Sequence, residues 1–219
     1  MSGYETALRR EQVYHRLRRD ILDCALPPGA RLHEPQLAER FSISKSPVRD
    51  ALLRLEAEKL VIVRPRKAYH VAPVSVSDAR EFFELRTVLE QACVINAARN
   101  APDSSLRALD RFRTTHSAGN AGDFITYNRE FHLGITTLCD NRRLARTAAD
   151  LIEQFDRFVI VSVQRLPAAD PEVLIAEHCH IIDAVQARAA RKAAALLSSH
   201  IRSARRRVLS ALSQSKAAE

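Results

Sequence analysis

Three histidines and one amide stand where apolar spacing turns them inward. Asn128 and His132 are an i, i+4 pair, so on a helix they share a face, and Phe124, Ile125 and Ile135 lie on or beside it. His178 comes one turn before Ile182 and two before Val185. His200 follows Leu196 and Leu197 and precedes Ile201. Neutral imidazoles converging inside a helical body are good ligands for zinc, nickel or another divalent transition metal. A single histidine on an apolar stripe is more often a core residue with a satisfied ring. Arg86 shares its stripe with Phe82, Leu89 and Cys93. A guanidinium in such surroundings needs an anion, either a ligand's or an internal carboxylate such as Glu90 one turn on.

A second group of residues is basic and exposed by pattern. Lys45 and Arg49 are four apart at the start of a helix read from Lys45 to Lys59, where side chains reach base edges in a major groove. Ser44 can cap that helix, and Ser44 and Ser46 suit phosphate oxygens. Arg31 is a further phosphate candidate. Arg64, Arg66 and Lys67 cluster near the tip of a short hairpin, where they can follow the backbone or enter a minor groove.

The elements that must carry these groups fall into two kinds. Helices are expected at about 10–25, 34–41 and 45–59, with Val48, Leu52 and Leu55 as the buried stripe of the third. Pro27-Pro28-Gly29 ends the first, and Pro47 falls harmlessly in the first turn of the third. Two β-branched runs, 60–63 and 69–71, read as a hairpin, and 72–75 as a linker. Helix, turn, helix and basic hairpin make a winged helix-turn-helix. From there the pattern predicts helices at about 78–100, 103–117, 122–139, 141–166, 171–188 and 190–213, with Ser77 or Asp78 capping the first. Short breaks between long amphipathic helices imply an antiparallel bundle. The fold class is mainly α, with a DNA-binding head at 1–74 and a helical sensing and dimerisation domain at 75–219.

Charge placement agrees with that division. The first 75 residues carry 14 Lys/Arg against 9 Asp/Glu, residues 76–200 carry 15 against 16, and the last 19 carry 5 against 1. Basic ends around a neutral middle suit a nucleic-acid head on a separate body. No window approaches the roughly 18 apolar residues of a membrane span, and the first residues lack a signal-peptide pattern, so a cytoplasmic location is expected. The four cysteines, Cys24, Cys93, Cys139 and Cys179, form no CxxC pair and are expected as reduced, mostly buried thiols.

The run PPGARLHEPQLAERFSISKSPVRDALLRLEAEKLV resembles the N-terminal domain of the GntR family of bacterial regulators. FFELRTVLEQACVINAA, NREFHLGI, EHCHIIDAV and SSHIRSA are similar to successive helices of its FCD subfamily, which has an all-helical ligand-sensing domain. The resemblance extends over nearly the whole chain. It implies DNA contacts at Lys45, Arg49 and the wing tip. It also implies metal-ligand roles for His132, His178 and His200, with the fourth place at Asn128. Arg86 would help hold a small carboxylate effector beside the metal. Three positions differ from the family pattern: Lys45 replaces a usual Arg, Ala68 a usual Gly, and Asn128 a usual Asp.

The expected function is a homodimeric regulator, a repressor released from a palindromic operator by a carboxylate. A regulator whose signal is the metal itself is one rival. A metal-dependent enzyme is the other, but HExxH, nucleophile and phosphate-loop motifs are all absent, so no catalytic residue is expected.

Overall fold

The structure is a computed structural model that describes residues 3–64, 68–114, 121–163 and 170–214. The chain divides into two units, Met1–Val74 and Ser75–Glu219.

In the first unit, Val13, Leu17 and Ile21 recur at helical spacing and are buried along α1 (Gly3–Leu22). The Pro-Pro-Gly turn follows, with Gly29 at φ 83, a left-handed value that suits glycine. That turn lays Arg31–Leu32 (β1) against the hairpin, where two strands alone were expected. The sheet therefore has three antiparallel strands in the order β1-β3-β2, with β2 at Val61–Arg64 and β3 at Ala68–Val71. Helix α2 (Glu34–Arg40) leads through a tight turn into α3 (Lys45–Ala57). The turn places Ser42 at φ 52 and returns the Ile43 N–H to the Ala38 carbonyl at 3.0 Å. Val48, Leu52 and Leu55 are completely buried on α3, facing α1, α2 and the sheet. Ser44 occupies the cap position, but its side chain makes no cap bond.

Every regular element of the second unit, among its described residues, is a helix. Its first helix, α4 (Val76–Asn100), is capped by Ser75, whose hydroxyl accepts from the Asp78 N–H at 3.1 Å, rather than by Ser77 or Asp78. Where one helix over 103–117 was expected, α5 (Asp103–Arg107) gives way to a 3-10 helix at Ala108–Phe112. Leu106, Leu109 and Phe112 are all buried, and their spacing of three is the 3-10 period. Then come α6 (Ala121–Thr137), α7 (Arg142–Val163), α8 (Pro171–Gln186) and α9 (Ala190–Gln214). Helix α4 packs against α6, α7, α8 and α9, so it is the axis of the bundle.

Two close contacts set α6 in place. A Cβ on Gly134 would lie 2.9 Å from the Phe112 ring, so the missing side chain lets α6 sit against the 3-10 turn. Just past the same end of α6, Asp140 is held by α4: its N–H donates to Asn96 at 2.9 Å, and its carboxylate accepts from Asn96 and Asn100 at 2.5 and 3.1 Å. Beneath that clamp Cys93 and Cys139 pack together with Ala148. None of the four cysteines is in a disulfide; Cys24 and Cys179 are half-buried. Among the described residues no helix is long and apolar enough to cross a membrane.

Helix α3 ends on a strained residue. Exposed Lys59 adopts φ 60 so that the Leu60 N–H can reach the Leu55 carbonyl at 2.9 Å. Left-handed backbone costs a side-chain-bearing residue roughly 1–2 kcal/mol. Glycine gives back about 0.5–1 kcal/mol through the unfolded chain. Lys59→Gly should therefore stabilise the protein by up to about 1 kcal/mol, read as a higher urea midpoint.

Candidate functional site

Three helices deliver one histidine each to the same point. His132 comes from α6, His178 from α8 and His200 from α9, and all three are buried. The Nε2 atoms of His132 and His200 are 3.2 Å apart, and those of His178 and His200 3.4 Å. The three ligand atoms lie within 4.8 Å of one another. The ring of Phe131 stacks on His178 with centroids 3.7 Å apart, which fixes its plane.

The outer nitrogens decide what the inner ones can do. His132 Nδ1 lies 2.5 Å from Glu90 Oε2, and His200 Nδ1 lies 2.6 Å from Glu177 Oε2. His178 Nδ1 lies 3.2 Å from the Tyr127 hydroxyl, whose own hydrogen goes to the Phe112 carbonyl at 2.7 Å. Each of these oxygens accepts, so each Nδ1 carries the proton and donates it. The Nε2 lone pairs of His132 and His178 then converge on the Nε2 of His200. A cation among these nitrogens, a proton or a metal ion, relieves their mutual repulsion. The separations of 3.2 and 3.4 Å about His200 suit a metal ion: tetrahedral bonds of about 2.0–2.1 Å place ligand nitrogens roughly 3.3 Å apart. Burial pushes the His132 imidazole down; Glu90 opposes this and Arg86 adds to it, leaving it at about 4. Burial, reinforced by the neighbouring histidines, holds His178 well below its usual range. Both are therefore neutral at pH 7, as metal ligands must be.

Beside the cluster lies a second unmet demand. Arg86 is about 1% exposed, its Nε–H donates to Glu90 Oε1, and its guanidinium stacks over Phe155 at 4.0 Å. Its Nη1 and Nη2 are buried with no hydrogen-bond partner among the described residues. Glu90 is also fully buried; burial pushes its carboxyl up, but Arg86 and His132 outweigh this and hold it at about 2. One edge of Arg86 is thus spent on an internal carboxylate, and its Nη1–Nη2 end has no hydrogen-bond partner among the described residues. Asn128 lies one turn before His132 on α6 and is half-buried.

In the first unit, Ser44, Lys45, Ser46 and Arg49 are exposed together at the start of α3. Arg31 is exposed on β1 and Arg64 at the end of β2. Arg66 and Lys67 lie outside the described residues. Arg49 is not free-standing: its Nε and Nη2 donate to the two carboxylate oxygens of Glu34 at 3.1 and 2.9 Å.

Sequence reasoning missed Glu34, Tyr127 and Glu177. Each acts on a residue in another element, so no local spacing marks it. Glu90 was visible only as the i+4 neighbour of Arg86.

Comparison with known proteins matches both units. Residues 9–71 fit the family model for bacterial regulatory proteins, gntR family, and residues 81–203 fit the FCD domain. The HTH-type transcriptional repressor RspR of Escherichia coli (strain K12) is 29% identical over 182 residues, 81% of this chain and 79% of that protein. The Nta operon transcriptional regulator of Aminobacter aminovorans is 27% identical over 179 residues, 80% and 82% of the two chains. Among solved structures, E. coli McbR/YncC superposes with a TM-score of 0.76 at 25% identity, over 95% of this chain and 98% of that one.

The shared carboxylate makes a stability prediction. Glu90→Gln leaves the buried Arg86 charge without its anion and should cost about 3 kcal/mol. Glu177→Gln, at a position about one-third exposed, should cost less than about 1 kcal/mol. Urea unfolding of the two variants gives the contrast directly.

Proposed function

The chain belongs to the GntR family of bacterial regulatory proteins and carries an FCD domain, and on that premise we propose a metal-assisted, carboxylate-responsive repressor. That it is a DNA-binding transcription regulator with an effector-binding domain, and not an enzyme, follows from the family and its relatives. The finer reading is ours. His132, His178 and His200 would hold a divalent transition metal, zinc or nickel. Asn128 would supply a neutral oxygen as a fourth ligand. The metal would act there as a Lewis acid toward a ligand oxygen.

One observation carries the effector assignment: the Arg86 fork is buried and unpaired next to three convergent histidine nitrogens. A small carboxylate answers that demand, because its two oxygens match parallel N–H bonds from a guanidinium. A signal consisting of metal alone would leave the fork unexplained.

Further features support the rest of the reading. Leu85 and Val88 on α4 are 49% and 60% exposed, and half-buried Leu89, Ala92 and Ile95 continue their stripe. An apolar face of that kind suits a homodimer, whose two-fold axis would require a palindromic operator. On the operator, Lys45 and Arg49 would face bases. Arg31, Ser44, Ser46, Arg64, Arg66 and Lys67 would face phosphates or the minor groove. The similar protein RspR is a repressor, which supports repression with release by effector through reciprocal coupling of the two sites. A cytoplasmic setting goes with that role.

His178→Ala should lower bound metal more than about tenfold, measured by plasma emission on the purified protein; unchanged metal content would remove the site. In a thermal-shift screen of small carboxylates with and without chelator, a true effector should raise the melting point of the wild type. Arg86→Ala should abolish that rise while operator affinity without effector stays normal. An unaltered titration would return Arg86 to a structural role.

A further inference from the structure

Arg49 is exposed at the start of α3, yet a carboxylate from another helix holds it on one side. Glu34 opens α2 and reaches across to α3, and its side chain is only 17% exposed against 59% for Arg49. Both carboxylate oxygens are used, one by Nε and one by Nη2. Lys45, one turn earlier on the same helix, has no carboxylate partner among the described residues. Of the two basic residues at the start of α3, Arg49 is thus the paired one.

A guanidinium has five N–H bonds and two usable edges. Glu34 occupies the side edge, formed by Nε and one hydrogen of Nη2. The end edge, made of Nη1 and the second hydrogen of Nη2, stays open. That end edge is a parallel pair of donors, the form that matches the O6 and N7 acceptors of guanine. With its side edge clamped, the guanidinium loses rotamer freedom before it meets DNA, so less is lost on binding. The same carboxylate repels phosphates and so works against binding that ignores sequence. We infer that Glu34 is a positioning residue for Arg49, presenting its end fork to a guanine and raising sequence discrimination rather than general DNA affinity. The inference rests on the reading that Arg49 contacts bases.

The test uses the full-length protein and the duplex that the wild type itself enriches from a random-sequence pool, with a scrambled duplex of equal length as control. Affinities of Glu34→Gln, Arg49→Ala and the double variant are measured for both duplexes at one salt concentration, after thermal melts establish folding. Glu34→Gln should weaken binding to the enriched duplex about tenfold. Its affinity for the scrambled duplex should stay level or rise, and in the Arg49→Ala background the substitution should have no effect on the enriched one. Equal tightening on both duplexes would make Glu34 only a repelling charge and overturn the inference. So would an unchanged affinity, or the same loss with and without Arg49. If Arg49→Ala alone keeps its affinity for the enriched duplex, the base-contact reading of Arg49 falls, and this inference with it. If Arg49→Ala loses that affinity and Glu34→Gln does not, only the role of Glu34 is lost.

Discussion

The two oxygens of Glu90 face different obligations, and the sensing bundle is arranged around meeting both. One accepts from Arg86 on the same helix and the other from His132 on α6. A carboxylate this deep would be prohibitively costly alone, and the guanidinium offsets that cost. Because Glu90 stays ionised, His132 always has an acceptor for its Nδ1 proton, and its Nε2 is always the nitrogen turned inward. The same carboxylate satisfies one edge of Arg86 and leaves the fork over. A buried ion pair of this kind is a poor device for stability, since well-packed apolar residues of similar size often do as well. Its value lies in joining the anion-seeking group and the cation-seeking group through one shared charge.

The DNA-binding unit separates stability from contact with the partner. Its apolar cluster, from Val13 on α1 through Leu52 and Leu55 on α3 to Val71 on β3, holds the helices together. The ion pairs on its surface, such as Arg10 with Asp50 and Arg54 with Glu11, are about half exposed on both sides, where such pairs contribute little. The start of α3 is thus polar on one side and wholly buried on the other. The exposed side chains there can change without disturbing what keeps the helix in place.

Legibility in the sequence followed the range of the interactions. The helix-turn-helix and the bundle were readable because Val48, Leu52 and Leu55, or Phe82, Arg86 and Cys93, repeat at intervals that a single helix dictates. The histidines were readable for the same reason, each on its own apolar stripe. The third strand at Arg31–Leu32 was not, since two residues carry no period and their pairing depends on a partner 39 and 37 positions away. The 3-10 turn was missed because spacings of three suit either helix type over so short a stretch. Glu177, Tyr127 and Glu34 were invisible because each serves a group on another element. Only the folded chain brings Glu177 to His200 or Glu34 to Arg49.

The sulfur pair under the Asp140 clamp has a practical consequence. Burial, with Cys139 as neighbour, pushes the Cys93 thiol up to about 12, so in the folded protein it is shielded and almost never a thiolate. Alkylating reagents meet Cys24 and Cys179 first. Modification of Cys93 then requires α4 to part from the α6–α7 connection, and its rate is a clock for the opening of the bundle's axis. The chain carries its own reporter of that motion, with no label to introduce.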